Sequence, residues 1–216
     1  MKIGFIGYGN MAEALASKWV AKHSLFISGR NLEKAENLAK KLGTEVKFGT
    51  EAEAANKSEI VVLATPHEAV FDAIDTAGGN EALKDKVLLD INNPVDTSDF
   101  LAKSYDGLSL SEKIARNVPD AHVVKAFNMC QAKVWKMNPP VFDDRTLVVM
   151  YCGDNDPAKE KIATLIEDVG CEAKDIGDLK YARMLESAAA IVIKLLFSGH
   201  DPHTVLNLIQ PEIKEI

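Results

Sequence analysis

The chain has 216 residues, of which 47% are hydrophobic and 26% are charged, the ordinary balance of a globular protein whose core needs neither disulfides nor metal. Its formal net charge of −7 argues against nucleic acid or an anionic membrane as the main partner. Its three cysteines, Cys130, Cys152 and Cys171, show no paired spacing, and no apolar run is long enough to span a bilayer, so we expect a protein of the reducing cytoplasm.

Apolar, strand-like runs alternate with segments of helical period along most of the chain. KIGFIG and HSLFIS predict the first two strands, and the helical patterns NMAEALASKWVAK and NLEKAENLAKKLG follow them. The later runs EIVVLAT, KVLLDIN, AHVVKAF and RTLVVMYCG are almost continuously apolar, as expected of strands covered on both faces. This alternation predicts an α/β fold of the Rossmann type, with a doubly wound, mostly parallel sheet.

Two stretches interrupt the alternation. NNPVDTSDFLAKSYDGLS is polar and predicts a long loop beyond a strand end. DLKYARMLESAAAIVIKLLF, which follows Gly177, is apolar nearly all round and predicts a buried helix. We therefore expect residues 1–176 to form the nucleotide-binding α/β domain and residues 177–216 to form a small helical cap that continues from it.

The turn after the first strand carries the motif GYGNMA, a GxGxxA pattern. Gly7 would permit the tight turn, Gly9 would let the backbone approach a pyrophosphate, and Ala12 would allow close helix–strand packing. The phosphates would then lie on the free N–H groups of the first helix. A glycine turn that merely joins two elements is the alternative, but the position between a strand and a helix at the start of a βαβ unit favours a dinucleotide site.

The second strand ends in Ser28, Gly29 and Arg30, where NAD-binding proteins usually carry an acid for the ribose 2′-hydroxyl. An arginine there suits the 2′-phosphate of NADP(H) instead, and Lys34, one helical turn further, would add a second positive charge. Arg30 and Lys34 could also be solvated surface residues. The absence of an acid at this strand end favours NADP over NAD.

Three loops at the carboxyl ends of later strands are expected to meet near the nicotinamide ring. They contain Ala64, Thr65, Pro66 and His67 after the fourth strand, Asn92 and Asn93 after the fifth, and Phe127 and Asn128 after the sixth. Each asparagine could instead satisfy its own turn, His67 could be a capping or surface residue, and Phe127 could be a core aromatic. Their convergence on one sheet edge favours a ligand site.

No acid–base pair stands out in the sequence. Lys125 would serve as a base only if desolvated and is otherwise a solvent-exposed lysine, whereas Cys130 is expected to pack. Arg183 and Glu186 are expected to pair with each other or with a neighbouring loop. Oxidation of an alcohol requires a general acid–base residue, but hydride exchange between two rings requires only their positioning, so no catalytic side chain is expected.

The segments GYGNMA, SGR, ATPHEAV, INNP, VVKAFN and GDLKYARMLE resemble those of the coenzyme F420-dependent NADP oxidoreductases. The pattern is also similar to the NADPH-oxidoreductase domains of membrane ferric reductases, and the resemblance covers essentially the whole chain. It implies an enzyme that transfers hydride between NADP(H) and a small-molecule acceptor, either the deazaflavin F420 or a flavin such as FMN or FAD. It also implies a homodimer with the C-terminal helices at the interface.

The resemblance further implies roles for individual residues. Gly7, Tyr8, Gly9, Asn10 and Met11 would hold the pyrophosphate, Ser28, Arg30 and Lys34 the 2′-phosphate, Thr65, Pro66, Asn92 and Asn93 the nicotinamide side, and Phe127 and Asn128 the reacting rings. Met129 stands where family members often have threonine, and no motif identifies the acceptor half. Two alternatives remain: reduction of a small imine or carbonyl, as in pyrroline-5-carboxylate reductases with their similar GNMAEAL start, and a non-catalytic NADP(H) sensor.

Overall fold

The computed structural model describes residues 1–142 and 144–199. Most of the strands that it contains form one eight-stranded sheet, and two short strands pair separately. The strands are β1 (Lys2–Ile6), β2 (Ser24–Ser28), β3 (Lys47–Gly49), β4 (Ile60–Leu63), β5 (Val87–Asp90), β6 (His122–Lys125), β7 (Val141–Phe142), β8 (Arg145–Thr146), β9 (Val148–Gly153) and β10 (Glu172–Asp175).

Helices follow most of the strands. They are α1 (Asn10–Trp19), α2 (Leu32–Leu42), α3 (Glu51–Lys57), α4 (Val70–Thr76), α5 (Gly79–Leu83), α6 (Leu110–Asn117), α7 (Ala132–Trp135), α8 (Asp156–Asp168) and α9 (Ala182–Phe197). Short 3₁₀ segments, His67–Ala69 and Leu179–Tyr181, precede α4 and α9. Within the described residues, each helix is too short or too polar to cross a bilayer.

The strand order β10-β9-β6-β5-β4-β1-β2-β3 contains the Rossmann order 3-2-1-4-5-6. The strands from β3 to β6 run parallel, and β9 joins β6 antiparallel. A parallel return would need a long crossover, but only the four-residue α7 and the β7–β8 hairpin separate β6 from β9. The predicted fold class, a mostly parallel doubly wound α/β sheet, is confirmed.

Helices cover both faces of the sheet. One core contains buried residues of α1, α2 and α8, and the other contains buried residues of α3, α4 and α6. Neighbouring residues of β1 point to opposite cores, with Phe5 in the first and Ile6 in the second. The ligand-binding edge predicted from the sequence therefore lies where β1 and β4, adjacent strands that lead to opposite faces, end side by side.

The C-terminal helix differs from its prediction in one respect. α9 buries only one face, which includes Ala182, Leu185 and Ala189, whereas Met184 is 64% and Ile191 is 53% exposed. The apolar pattern runs nearly all round the helix, but only one side finds a partner within the described residues. The domain boundary at residue 176 stays a prediction, and residues 200–216 of the expected cap lie outside the described residues.

Candidate functional site

A cavity of about 300 Å³ lies at the carboxyl ends of β1, β2 and β4. Its walls come from the turn between β1 and α1, the end of β2, the first residue of α3 and one face of α4. We call it the small cavity. Its lining includes Gly7, Tyr8, Gly9, Gly29, Arg30 and Glu51.

The glycine turn has the geometry that a bound pyrophosphate requires. Gly7 has a φ of +123°, and a Cβ atom there would lie 2.2 Å from the carbonyl oxygen of Ala64. A Cβ atom on Gly9 would meet no described atom within 4 Å. The N–H groups of the first turn of α1 have no partner within the helix, and Gly9 supplies no side chain to cap them. Open space beside free N–H groups at a helix start suits an anionic diphosphate.

The residues expected to bind the 2′-phosphate differ in their exposure and in whether they line the small cavity. Arg30 is exposed and lines the small cavity, and the Tyr8 ring packs over Gly29. Ser28 is fully buried and its hydroxyl donates to the Phe5 carbonyl oxygen at 2.7 Å, so the expectation that Ser28 binds phosphate is wrong. Lys34 is exposed in the first turn of α2 and is not part of the cavity lining.

The small cavity contains an acid that the sequence analysis missed. Glu51, the first residue of α3, is only 5% exposed and lines the cavity with Arg30. Burial raises the pKa of Glu51, and the nearby Arg30 charge partly offsets this rise. The preceding strand β3 has three residues, two of them exposed, so no apolar run marked a strand end before this acid.

A second cavity, of about 1080 Å³, adjoins the first at the glycine turn. We call it the large cavity. The two share Gly9, Ala64, Thr65 and Pro66 in their linings. Asn10, Met11, His67, Asn92, Asn93, Phe127 and Asn128 also line the large cavity.

The loops after β5 and β6 meet at the large cavity, as the sequence predicts. The Asn93 side-chain amide donates to the Asn128 backbone carbonyl at 2.7 Å, and the Asn128 amide donates to Asn93 Oδ1 at 3.0 Å. The Asn92 amide donates to the Leu63 carbonyl oxygen at 3.0 Å, which ties this loop to the end of β4. These bonds fix the three strand ends relative to one another.

Three buried polar atoms at this cavity have no hydrogen-bond partner among the described residues: Thr65 Oγ1, His67 Nε2 and Asn128 Oδ1. His67 Nε2 lies 3.2 Å from a Glu68 carboxylate oxygen, but without hydrogen-bond geometry. Burial lowers the pKa of His67, which favours the neutral imidazole. Buried polar groups rarely stay unpaired, so the cavity has unused hydrogen-bonding capacity for a polar ligand.

Phe127 contributes to the lining of the large cavity, yet its ring packs mainly against core aromatics. The residue is 1% exposed, and its ring centroid lies 5.8 Å from that of Trp19 and 5.3 Å from that of Trp135. Its φ of +59° turns the chain at the end of β6. The core-aromatic alternative is therefore the better description of this side chain.

A buried charge cluster lies directly behind the asparagine loops. Lys125 Nζ donates to Asp90 at 3.0 Å, to Glu186 at 3.2 Å and to the Asn92 carbonyl oxygen at 2.5 Å. Burial lowers the pKa of Lys125, but the two carboxylates outweigh it and raise the pKa overall, so the lysine stays protonated. Lys125 is fully buried, so the solvent-exposed alternative is wrong, and its ion pairs with two carboxylates argue against a role as a base.

The cluster also attaches α9 to the start of α6. Glu186 accepts backbone N–H groups of Leu110 and Ser111 at 3.0 and 3.3 Å. Arg183 forms two bonds of 2.7 and 2.6 Å with Glu112 on α6. Arg183 and Glu186 therefore do not pair with each other; each binds a neighbouring element.

The far half of the large cavity is mostly apolar. One wall is α9, through Ala189, Val192, Ile193 and Leu196, and the opposite wall includes Met129, Cys130, Val134, Phe142 and Leu147. Burial raises the pKa of Cys130, which agrees with a packing role. Among the described residues there is no group of His, Cys, Asp or Glu side chains suited to a metal ion. Such a surface suits a flat, largely apolar ring.

Comparisons with known proteins agree with this geometry. The sequence model of the family described as "NADP oxidoreductase coenzyme F420-dependent" matches residues 2–94. The F420-dependent NADP reductase of Methanocaldococcus jannaschii is 29% identical, covering 99% of this chain and all of that protein. That of Methanothermobacter marburgensis is 31% identical, covering 90% of this chain and 92% of that protein.

Two further similarities extend the comparison. The rat metalloreductase STEAP3 is 29% identical over 93% of this chain, which spans 38% of that protein. A crystal structure from Arthrobacter, provisionally named an F420-dependent NADP reductase, is 28% identical with a TM-score of 0.81 and covers 93% of this chain and 96% of its own. The predicted similarity to F420-dependent NADP oxidoreductases and to membrane ferric reductases is confirmed.

Proposed function

The chain belongs to the family of coenzyme F420-dependent NADP oxidoreductases, and from that premise we propose that it transfers hydride directly between NADP(H) and a flavin-type ring. It is an NADP-dependent oxidoreductase; the proposed acceptor is F420 or a flavin such as FMN or FAD. The observation that carries the proposal is that the two cavities adjoin, since both are lined by Gly9 and the Ala64–Pro66 loop.

The small cavity and the glycine turn would hold the adenosine and phosphate half. The free N–H groups at the start of α1 would bind the diphosphate, and the open space at Gly9 would admit it. Arg30 would bind the 2′-phosphate at the exposed rim. Lys34 would contribute a longer-range attraction, because it is exposed but does not line the cavity.

The near half of the large cavity would hold the nicotinamide. Asn128 Oδ1 could accept a bond from the carboxamide, and Thr65 and His67 could bind the adjoining ribose, because these buried atoms lack partners within the described part of the chain. Ala64, Pro66, Asn92 and Asn93 would complete the walls. The hydrogen bonds between Asn93 and Asn128 would hold the ring end rigid.

The apolar half of the same cavity would seat the acceptor against the nicotinamide. NADPH, when bound, supplies a hydride that the acceptor ring takes up. The chain contributes orientation and exclusion of water to this step, through α9 on one side and the segment after β6 on the other. No side chain of the cavity needs to move a proton during the hydride transfer itself.

Steady-state assays would test the proposal. Purified protein is expected to oxidise NADPH with F420 or with FMN or FAD, and with F420 a deuterium at the transferred position of NADPH should appear in the reduced deazaflavin. Turnover of pyrroline-5-carboxylate alone would make the chain an imine reductase. Tight NADP(H) binding with no hydride transfer to any acceptor would make it a sensor.

The exposed apolar face of α9 supports a homodimer. Met184 and Ile191, seven residues apart and therefore on one side of α9, are 64% and 53% exposed and form an apolar face on the helix that walls the large cavity. Phe197 lies on another side of the helix and packs against the Phe100 ring, with the ring centroids 5.3 Å apart. A second copy would cover the face of Met184 and Ile191 by isologous contact. We propose that the protein forms this dimer and resides in the cytoplasm.

A further inference from the structure

Two carboxylates line the small cavity, the exposed Asp72 and the buried Glu51. Glu51 is 5% exposed and lines the cavity, and among the described residues the nearby Arg30 is the charge that favours its carboxylate. Burial of a carboxylate without hydrogen-bond donors is costly, so a ligand that brings a donor to Glu51 would be stabilised there. The cavity lining therefore points to a hydrogen-bond donor on whatever occupies this cavity.

The adenosine end of NADP(H) has few donors to offer. Its 2′-phosphate carries only acceptors and negative charge, so Glu51 would repel it, and Arg30 at the exposed rim is the suitable partner for that group. Glu51 is the buried residue of the pair, and the small side chains of Ala69, just before α4, and of Ala73 in α4 leave room in the same cavity for a flat base. The donor that a base brings is the exocyclic amine of adenine.

We propose that Glu51 is a specificity-determining residue that accepts a hydrogen bond from the exocyclic amine of the adenine of NADP(H). Arg30 and Glu51 thereby divide the two ends of the adenosine, one binding the phosphate at the rim and the other the base inside. This inference rests on the proposed NADP(H) site, and it assigns that site a preference for an amino-substituted purine.

The test is calorimetric titration of the unmodified protein with NADP⁺ and with its hypoxanthine analogue, in which a carbonyl oxygen replaces the amine. The carbonyl would face the carboxylate, so the analogue should bind about 10- to 100-fold more weakly, as expected for loss of a charge-assisted hydrogen bond. Glu51→Ala should bind both nucleotides with nearly equal affinity. Glu51→Gln, whose amide can also donate to a carbonyl, should likewise lose the preference.

Glu33→Gln is the matched control, because Glu33 is an exposed carboxylate in the first turn of α2, outside the cavity lining. It should keep the preference of the unmodified protein. Equal binding of both nucleotides to the unmodified protein would overturn the inference, as would an unchanged preference in folded Glu51→Gln. A change in NADP⁺ against NAD⁺ selectivity, with the base preference intact, would place Glu51 on the ribose and overturn it too. Failure of the unmodified protein to bind NADP⁺ at all would overturn the proposed function itself.

Discussion

Gly7 and Ala64 approach so closely that a Cβ atom on Gly7 would lie 2.2 Å from the Ala64 carbonyl oxygen. At Gly9, two residues on, a Cβ atom would meet no described atom within 4 Å, and the φ of −80° is open to any residue. The two glycines of the motif are therefore needed for different reasons. Gly7 is required by the fold, whereas the open space at Gly9 is left for a ligand.

This difference predicts opposite effects of two substitutions. Gly7→Ala should lower the melting temperature, because the added methyl group cannot fit and the backbone is left-handed. Gly9→Ser should leave stability nearly unchanged, since serine is a good N-cap, yet weaken NADPH binding about tenfold or more by filling the pyrophosphate space. Melting curves and binding titrations separate the two; normal NADPH affinity in Gly9→Ser would contradict the placement of the pyrophosphate.

Arg30 is expected to determine the choice between NADPH and NADH. Arg30→Asp should lower kcat/KM for NADPH by an amount that corresponds to roughly 1.5–3 kcal/mol of lost transition-state stabilisation, because a charge-assisted bond to the 2′-phosphate is lost. The kcat/KM for NADH should change far less. Lys34→Asp makes the same charge change outside the cavity lining and should have a smaller effect. Equal losses for both nucleotides in Arg30→Asp would refute the assignment.

The buried cluster around Lys125 is expected to be a major source of stability. Lys125→Met leaves Asp90 and Glu186 buried without their cation, which should cost roughly 3–5 kcal/mol of unfolding free energy. Arg183→Ala removes the more exposed pair with Glu112 and should cost much less of the unfolding free energy. Urea denaturation measures both. Similar losses of unfolding free energy in the two variants would argue against burial as the reason that the Lys125 ion pairs stabilise the fold.

The Arg183–Glu112 pair should give the stability a defined pH dependence. Burial raises the pKa of Glu112, but Arg183 and the Ser109 hydrogen bonds outweigh it and lower the pKa to about 2. A carboxyl whose folded pKa is depressed stabilises the fold above its unfolded pKa and loses that contribution as the pH falls towards 2. The melting-temperature difference between the unmodified protein and Arg183→Met should therefore shrink from about pH 5 downwards. A constant difference would contradict the pairing.

The proposed dimer predicts that one charge on α9 disrupts association. Ile191→Glu should shift the protein from dimer to monomer in sedimentation velocity, because the glutamate would be buried without a partner. Glu160→Lys changes the charge of an exposed residue of α8 and should leave the dimer intact. A monomeric unmodified protein at micromolar concentration would rule out this interface.

Much of the fold was predictable because the periodicity of hydrophobic residues along the sequence indicates which segments form strands and helices. Strands β1, β2, β4, β5 and β6, the glycine turn and the long loop after β5 all follow from local patterns, whereas the three-residue β3 leaves none. The direction of β9 does not, because the period of a strand is the same in both directions. The half-exposed state of α9 was equally out of reach, since the pattern records apolar residues but not the elements available to cover them.

The site was less predictable where it depends on distant pairings. Lys125 and Glu186 stand 61 residues apart, and each looks like an isolated polar residue until the sheet and α9 bring them together. Ser28 resembled a phosphate ligand by position, yet its hydroxyl turns inward to Phe5. Glu51 follows a strand too short to leave a pattern. Asn93 and Asn128 were found because strand ends of a parallel sheet share one edge.

The packing of Phe127 between Trp19 and Trp135 has an optical consequence. The chain has only these two tryptophans, and both contact the residue that turns the chain at the back of the large cavity. Reduced nicotinamide absorbs in the region where tryptophan emits, so a bound NADPH would quench both indoles by energy transfer. The intrinsic emission of the protein is thus a label-free indicator of whether the hydride donor is in place.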